Sequence, residues 1–478
     1  MNPFWVYISV ISAYLAILIL IGVITSKKLG DIEDFYLAGR RVGPWVTAFS
    51  FVAAYFSSVL IIGGGGFGYK YGMATLWIGA INVLLGCTLA WIILGPRLRE
   101  LTKKLNAITV PSFFSNRYLA PETRIYSATI ISIFLVVYCV SILKGMGNIL
   151  EVLMEIPYYQ GVLISGLVIA VYVALGGYLA VLWTSFVQAW VMLFGVSLLT
   201  IAALQKVGGY TAANTKLAAI NPELVTTPGV WGWAGLVSYC LILSFGVWGM
   251  PQLVIRFYSI KSKEVLRLGT VLASIGGAMA LLPYLSGAVT RVLYPNLPSP
   301  DHAIPTLSKA VLPTWGSALF LAAVLAAGMS TFSSVLIIIS SSLIKDLYQD
   351  WLRKGVETPE KRLIAYGRLS SLIVGGIALI VALKPPALIL VLTAFSWAVI
   401  ASACLWPTVL GVYWRGATRA GATASMVGGS ITALIWLALR NPFGVHGFIP
   451  GILVGLILFI LVSLSTKKLP EEHLEKLG

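Results

Sequence analysis

The sequence predicts an all-α polytopic membrane protein with thirteen transmembrane helices. Hydrophobic residues make up 58% of the 478 residues and charged residues only 10%, whereas soluble proteins carry roughly 25% charged residues. The mean hydropathy of the chain is +0.92. Its apolar runs are long enough for helices to cross a bilayer, and they lack the alternating pattern of ~10 residues that marks a barrel strand.

The apolar runs give the thirteen helices in order. They begin near residues 4, 45, 74, 125, 158, 178, 230, 267, 317, 363, 387, 416 and 447. The first run, Phe4 to Ser26, is too long for the apolar region of a signal peptide, and no small-residue cleavage site follows it. The connecting segments are short, so we expect a single transmembrane domain over residues 1–478 with no soluble domain attached.

The charge on the loops predicts the orientation of the chain. If the N-terminus is outside, the cytoplasmic segments hold 25 of the 33 Lys and Arg residues, as the positive-inside rule requires. An odd number of helices then places the C-terminus in the cytoplasm, and the chain in the inner (plasma) membrane. The basic loops also account for the net charge of +16, so we expect a lipid bilayer, and no nucleic acid, as the partner of this charge.

Ionisable groups are scarce within the predicted helices. Of the seventeen Asp and Glu residues, only Glu151 and Glu155 approach a helix, near its outer end, so no buried carboxylate is available for a proton relay. Lys144 is the one cation placed within a helix and is therefore a functional candidate. The alternative is that this side chain, which lies in the outer half of the membrane, extends to the surface. The four cysteines lie in apolar runs and indicate neither a disulfide nor a zinc site.

Two predicted helices carry Ser, Gly and Pro interruptions at matching places. The second reads TAFSFVAAYFSSVLIIGGGGFG and the seventh, five helices later, reads VSYCLILSFGVWGMPQ. Matched interruptions mark the binding site of inverted-repeat transporters, because freed backbone carbonyls are tolerated in a membrane only around a cavity. Ordinary packing of small residues is the alternative. The GxGxxG pattern at residues 63–68 lacks a βαβ context, so it indicates close helix packing or a helix break rather than nucleotide binding.

A stripe of small and hydroxyl residues follows one face of the ninth predicted helix. Its members have the spacing i, i+3, i+4, i+7; they are Ala327, Ser330, Thr331 and Ser334, with Ser333 beside them. Converging hydroxyl oxygens suit a hard cation, whereas Ser and Thr residues in membranes also form interhelical hydrogen bonds. The stripe alone leaves both interpretations open.

Four segments together resemble the sodium:solute symporter family along nearly the whole chain. They are residues 34–40 (DFYLAGR), 176–184 (GGYLAVLWT), 327–331 (AGMST) and 345–348 (KDLY). The resemblance implies a LeuT-type inverted-repeat fold of two five-helix repeats, with a core at about 45–413, an extra N-terminal helix at 4–26 and C-terminal helices at 416–466. It also implies a transporter rather than an enzyme, with sodium as the co-transported ion and symport by alternating access.

The same resemblance implies a set of site residues. The family's sodium site corresponds to the backbone carbonyls of Ala53, Phe56 and Ala327 and the hydroxyls of Ser330 and Thr331. Candidate solute contacts are Tyr55, Ser57, Ser58, Tyr138, Lys144, Ser244, Trp248 and Gln252. Many members have an Asp after the Trp-Thr pair that supports a second sodium. Ser185 stands there in this chain, with Ser333 and Ser334 still present, so a second cation site is in doubt.

Within the family, the chain looks most similar to the pantothenate and monocarboxylate permeases. The similarity lies in residues 53–57, 69–72, 304–307 and 384–386. The proline permeases have an Asp where Tyr55 stands, so we expect a small organic anion of the monocarboxylate or pantothenate type rather than proline. A sodium-coupled amino-acid or sugar symporter is the alternative. Alternatives of another class are a sodium-independent facilitator or exchanger and a membrane solute sensor. The sequence predicts no oligomeric state.

Overall fold

The structure, a computed structural model, describes residues 3–26, 32–262, 264–354, 356 and 358–477. The side chains of residues 3, 26, 32, 34, 35, 168 and 170–177 lie outside that description. The first half of the signature at 34–40 and the start of the segment at 176–184 are therefore only partly described. The described residues fold as helices, joined by turns and one isolated β-bridge between Val42 and Ile260.

Fourteen long or functionally placed helices are labelled here in chain order. They are α1 (Pro3–Ser26), α2 (Pro44–Tyr55), α3 (59–71), α4 (76–104), α5 (Pro121–Met154), α6 (Tyr158–Val207), α7 (Gly232–Ser244), α8 (Pro251–Tyr258), α9 (Glu264–Leu293), α10 (Thr314–Leu352), α11 (Glu360–Ala382), α12 (Ile389–Tyr413), α13 (Arg419–Ala438) and α14 (Phe448–Ser465). Shorter helices cover Ile32–Leu37, Val110–Tyr118, Tyr210–Ile220, Ala303–Val311 and Glu471–Leu477. Short 3₁₀ turns cover Ala38–Arg40, Gly72–Thr75, Pro222–Val225, Gly229–Trp231, Gly246–Gly249, Ala278–Ala280, Pro300–His302 and Pro442–Gly444.

The described residues contain eleven candidate membrane-spanning helices rather than the thirteen predicted. The helix predicted near residue 45 is divided, because α2 has only 12 residues and α3 continues through a turn into α4 as one candidate span, Val59–Lys104. The helix predicted near residue 158 is the first part of α6, which runs without a break for 50 residues. The count of thirteen is therefore not confirmed, although the helices predicted from residue 230 onward begin within a few residues of their expected positions.

The first predicted interruption is a break between α2 and α3. α2 ends at Tyr55 because Phe56 adopts a non-helical backbone, with φ −97° and ψ 84°. The next helix starts at once, since the Ser57 carbonyl accepts the amide of Leu60 at 3.0 Å. The Ser57 hydroxyl accepts the Val59 amide at 3.1 Å and so satisfies one of the free amides at a helix start.

The second predicted interruption separates α7 from α8. After Ser244 the chain forms a 3₁₀ turn over Gly246–Gly249, and Met250 is extended with φ −84° and ψ 114°. Pro251 then begins α8, at the first helical position that proline tolerates well. Both halves of the chain therefore contain a broken helix, as the sequence predicts.

The centre of the molecule is α10. Every residue of its apolar window is buried, compared with 22% of the window in α1. α10 packs along α6 and α5, and α12 packs against α5 and α13. Burial on all sides explains why α10 is apolar as far as Ile344 apart from small hydroxyl residues, whose polar groups must find partners inside the protein.

The glycines of the GxGxxG pattern allow close helix packing between α3 and α9. A Cβ atom on Gly68 would lie 2.0 Å from the Tyr284 carbonyl oxygen, and one on Gly287 would lie 1.8 Å from the Gly65 carbonyl oxygen. These distances are far below van der Waals contact, so only glycine fits at these crossings. Of the two interpretations left by the sequence, the structure supports close packing.

Candidate functional site

The hydroxyl stripe of α10 lies against the C-terminal end of α2. The Ser330 hydroxyl is 2.8 Å from the Ala53 carbonyl oxygen and 3.0 Å from that of Ala327. The Thr331 hydroxyl is 3.3 Å from the Ala53 carbonyl oxygen, 3.2 Å from that of Ala54 and 3.2 Å from that of Ala327. All of these residues are fully buried. The structure thus gathers five oxygen atoms in one place.

The break after α2 explains why its carbonyls face the stripe. The last carbonyls of a helix have no partner in the helix itself, and the non-helical Phe56 ends the ladder one residue after Tyr55. The Ser330 and Thr331 hydroxyls donate hydrogen bonds to the free carbonyls at this helix end. Uncharged oxygen atoms of this kind are ligands for a hard cation, and each hydroxyl offers lone pairs to a cation once its hydrogen rotates away.

A small cavity lies beside the break in α2. Its lining residues come from several helices and carry no charge; they are Tyr55, Phe56, Ser57, Val59, Leu60, Asn82, Tyr138, Leu243, Tyr284, Leu390, Thr393 and Trp397. Its volume is about 30 Å³, and a water molecule needs ~10–15 Å³ on this measure. The cavity has space for one or two waters, so it must widen to hold an organic solute.

Aromatic rings form the walls of this cavity. The Tyr55 and Trp397 rings stack at a centroid distance of 6.1 Å, and the Tyr138 ring meets Trp397 edge-on at 5.7 Å. The Tyr138 hydroxyl lies 3.3 Å from the Ser57 hydroxyl. The Tyr55 hydroxyl donates to the Leu243 carbonyl at 2.5 Å and lies 3.1 Å from the Asn82 side-chain oxygen.

Three of the eight candidate solute residues line the cavity, namely Tyr55, Ser57 and Tyr138. Four others are buried outside its lining. The Ser58 hydroxyl donates to the Ile142 carbonyl at 3.0 Å, and the Trp248 ring nitrogen donates to the Leu85 carbonyl at 2.9 Å. Ser244 lies behind the lining, with its hydroxyl 2.5 Å from the Asn82 side-chain oxygen. Gln252 is fully buried, and neither atom of its amide has a protein partner.

The sequence missed several lining residues, chiefly Asn82, Tyr284, Thr393 and Trp397. Asn82 lies in α4 where the backbone forms a π-helical stretch, Asn82–Leu89, and such stretches are frequent at functional sites. The asparagine inside an apolar run was the one signal in the sequence that could have identified it. Thr393 and Trp397 are one turn apart on α12, where nothing in the local pattern distinguishes them from core residues.

Lys144 does not line the cavity, and its ammonium has a carboxylate partner. Its ammonium forms an ion pair with Asp301 at 2.9 Å and donates to the Ala387 carbonyl at 2.9 Å. The Asp301 side chain is only 3% exposed, because the loop before α10 folds back against α5 and α12. The lysine therefore has a structural partner, and we no longer assign it to solute binding.

The residues of the doubtful second cation site have an unexpected neighbour. The Arg256 guanidinium donates to the Ser334 hydroxyl at 2.7 Å, and the Ser334 and Ser333 hydroxyls donate to the Ser330 carbonyl at 2.7 and 3.1 Å. The Ser185 hydroxyl is buried without a protein partner. A guanidinium donating to one would-be ligand places a positive charge where the second sodium would sit, which disfavours that site.

Comparison with known proteins identifies relatives over nearly the full chain. The profile of the Sodium:solute symporter family matches residues 35–429. The osmoregulated proline transporter OpuE of Bacillus subtilis is 33% identical over 472 residues, which cover 95% of this chain and 94% of the relative. A sodium/proline symporter of Staphylococcus aureus is 32% identical over 482 residues, covering 97% of this chain and 93% of the relative.

Solved structures share the fold. A Na⁺-coupled sialic acid symporter in a substrate-bound outward-open state superposes with a TM-score of 0.80 at 19% identity, covering 97% of this chain and 99% of the other. A nucleobase-cation-symport-1 family transporter in a closed conformation gives a TM-score of 0.57 at 15% identity, covering 92% and 97%. At these identities the likeness concerns the fold alone, which is that of an all-helical polytopic transporter.

Proposed function

This chain belongs to the sodium:solute symporter family, and we propose that its solute is proline or a closely similar small amino acid. Family membership makes it a multi-pass membrane transporter rather than an enzyme, with sodium as the co-transported ion. The solute is the finer question. The two curated relatives named above are proline carriers, so they favour the amino-acid alternative over the monocarboxylate or pantothenate anion that the branch resemblance suggests.

The observation that carries the proposal is the uncharged aromatic cavity next to the oxygen cluster. No Lys, Arg, Asp or Glu lines the cavity within the described residues. Sodium beside the cavity would compensate the carboxylate of either a monocarboxylate or an amino acid, but only an amino acid also has an amine for the neutral oxygen atoms that now accept from the Tyr55 hydroxyl. A zwitterionic amino acid has no net charge, and sodium beside the cavity would meet its carboxylate. The Tyr55, Tyr138 and Trp397 rings would cover an apolar ring such as that of proline.

We propose that sodium binds between the two helices that form the oxygen cluster. The Ala53, Phe56 and Ala327 carbonyls and the Ser330 and Thr331 hydroxyls would be its ligands. In the structure the Ala54 carbonyl, rather than that of Phe56, is the fifth oxygen atom of the cluster. Phe56 would contribute by position, since it is the break residue and lines the cavity. Sodium would hold α2, which ends at the cavity, against the buried α10, so ion binding and solute binding are linked through one short segment.

Tyr55 requires a specific account, because the proline permeases have an Asp at this position. The Tyr55 hydroxyl is held by the Leu243 carbonyl and the Asn82 side-chain oxygen. We propose that the solute amine takes over these neutral acceptors when the cavity widens. An amine bound by carbonyl-type oxygen atoms needs no carboxylate from the protein, provided that several acceptors converge on it.

Uptake into proteoliposomes tests the proposal. With an inward sodium gradient, radiolabelled L-proline should accumulate and should do so less without the gradient. An excess of unlabelled proline should compete, while propionate, pantothenate and glucose should not. Sodium-driven uptake of propionate or pantothenate in place of proline would contradict the amino-acid assignment and restore the anion one.

A further inference from the structure

Arg256 is a buried guanidinium with unsatisfied hydrogen-bond donors. The residue is fully buried in α8, and its only side-chain hydrogen bond in the described structure goes to the neutral Ser334 hydroxyl. The Nε and Nη1 atoms have no protein acceptor. Among the residues that the structure describes, no carboxylate forms an ion pair with it. Buried guanidinium groups are normally paired, because an uncompensated charge in the interior is costly.

The residues around Arg256 are polar but carry no negative charge. The Tyr178 ring centroid lies 5.5 Å from the guanidinium carbon, which provides a weak cation–π contact. Ser185 lies two turns after Tyr178 on the same face of α6, and its buried hydroxyl has no protein partner. Gln252 is one turn before Arg256 on the same face of α8, and both atoms of its amide are unpartnered. A small anion would accept from the free guanidinium N–H groups, the Ser185 hydroxyl and the Gln252 Nε2 atom, and would balance the buried charge.

We propose that Arg256 binds a small monovalent inorganic anion such as chloride, with the Ser185 hydroxyl and the Gln252 Nε2 atom as further donors. The family's Asp at position 185 would supply a carboxylate in this region, and Ser185 removes that charge while leaving a hydroxyl donor. The anion takes the place of the missing carboxylate. It stays bound as a counter-charge and does not travel with the solute.

The anion site is linked to the sodium site by two hydrogen bonds. Arg256 donates to the Ser334 hydroxyl at 2.7 Å, and that hydroxyl donates to the Ser330 carbonyl at 2.7 Å. The Ser330 hydroxyl in turn contacts the Ala53 carbonyl at 2.8 Å. A bare guanidinium this close repels sodium in a medium of low dielectric constant. An anion bound at Arg256 offsets the repulsion, so anion and sodium should strengthen each other's binding.

Thermal unfolding of the purified protein tests the site without any solute, so the result does not depend on the solute proposed above. Choline chloride should raise the unfolding temperature saturably relative to choline gluconate at equal ionic strength. In sodium titrations, the apparent sodium affinity should be about tenfold weaker in gluconate than in chloride. Equal behaviour of the wild type in the two anions would overturn the proposal.

Three variants separate this site from general salt effects. Arg256→Gln and Ser185→Asp should both lose the chloride dependence, the first by removing the charge and the second by supplying a carboxylate. Arg419→Gln, which breaks an exposed ion pair with Glu122, should keep it. If Arg256→Gln does not fold, Ser185→Asp decides, and chloride dependence that persists there contradicts the proposal.

The solute carboxylate is the other possible source of a monovalent anion. In gluconate, proline should stabilise Arg256→Gln at least as much as the wild type, because the inorganic anion is separate from the solute and the variant lacks the guanidinium that repels sodium. If proline stabilisation is lost in Arg256→Gln while chloride has no effect on the wild type, the guanidinium binds the solute carboxylate and the inorganic-anion site is ruled out.

Discussion

At the scale of single residues, the two hydroxyls of α10 are the sharpest test of the sodium site. Replacing both Ser330 and Thr331 by Ala removes two of the five clustered oxygen atoms and leaves only the backbone carbonyls. We expect sodium-stimulated uptake to fall at least a hundredfold while the protein remains folded, since two lost hard ligands at about 1.4 kcal/mol each give that factor. Uptake assays against sodium concentration measure it.

A matched control is available on the same helix. The Ser341 hydroxyl donates to the Ile338 carbonyl of its own turn and is equally buried. Ser341→Ala should therefore leave the sodium dependence unchanged. Wild-type sodium dependence in the Ser330/Thr331 double variant would place the ion elsewhere.

The Trp397 indole is the residue-scale test of the solute cavity. Its ring stacks on Tyr55 and meets Tyr138 edge-on, and its ring nitrogen has no protein acceptor. Trp397→Leu should raise the KM for proline roughly fivefold, because aromatic contacts contribute about 1 kcal/mol beyond burial. Trp406→Leu, whose ring nitrogen bonds the Ile452 carbonyl away from the cavity, should change KM much less. Equal effects would indicate a structural role for both rings.

At the scale of elements, the Lys144–Asp301 ion pair joins three separate segments. Asp301 also accepts the Ile389 amide at 3.3 Å, so the pair connects α5, the loop before α10 and the start of α12. Asp301→Asn would leave a nearly buried ammonium without its counter-charge, and breaking such a pair costs ~3–5 kcal/mol. We expect a clear loss of thermal stability, measured by unfolding in detergent.

The double variant provides the control for this ion pair. Lys144→Met with Asp301→Leu removes both charges together, so no charge stays uncompensated. It should be more stable than Asp301→Asn alone. If the double variant is at least as unstable as Asp301→Asn, the ion pair stabilises the fold through its hydrogen bonds and packing as well as by balancing charge.

The contact between α3 and α9 depends on glycine. Gly287→Ala would bring a Cβ atom to 1.8 Å from the Gly65 carbonyl oxygen, so the helices would have to separate. We expect strongly reduced folded yield, measured by size-exclusion chromatography after purification. Gly22→Ala in α1 meets nothing within 4 Å and should be neutral or slightly stabilising, since alanine favours helix. Similar yields of the two variants would contradict the close packing.

At the scale of the whole molecule, the sequence predicted the features that depend on residues close together in the chain. Ser, Gly and Pro residues indicate the two interrupted helices, and the spacing of Ser330 and Thr331 from Ala327 fixes their shared face. The Ala53 partner came from the family resemblance. The orientation of the termini follows from the positive-inside rule and stays a prediction.

The features that the sequence did not predict depend on contacts between segments that are far apart in the chain. Trp397 and Thr393 look like core residues of α12 until the packing against Tyr138 and Tyr55 is known. Asp301 was assigned to a loop because nothing local shows that the loop folds back onto Lys144. Arg256 looks like a basic loop charge in the sequence, because the short helix α8 that buries it begins only after a break.

The charge moved in each transport cycle follows from the whole assembly. One sodium site is supported by the oxygen cluster, while the Arg256 guanidinium at Ser334 disfavours a second. A zwitterionic solute adds no net charge, so one positive charge should cross per cycle, where a monocarboxylate would give an electroneutral cycle. Moving one charge is worth about 2.3 kcal/mol per 100 mV, so accumulation of proline should rise about fiftyfold for each 100 mV, inside negative. Proteoliposomes with a fixed sodium gradient and a potential set by potassium and valinomycin measure the ratio of proline inside to proline outside.

Accumulation in gluconate should show the same voltage dependence as in chloride, because the anion at Arg256 stays bound. If accumulation does not depend on voltage in either anion, transport of one sodium with one zwitterion is excluded. If the voltage dependence is lost only in chloride, the anion travels with the solute.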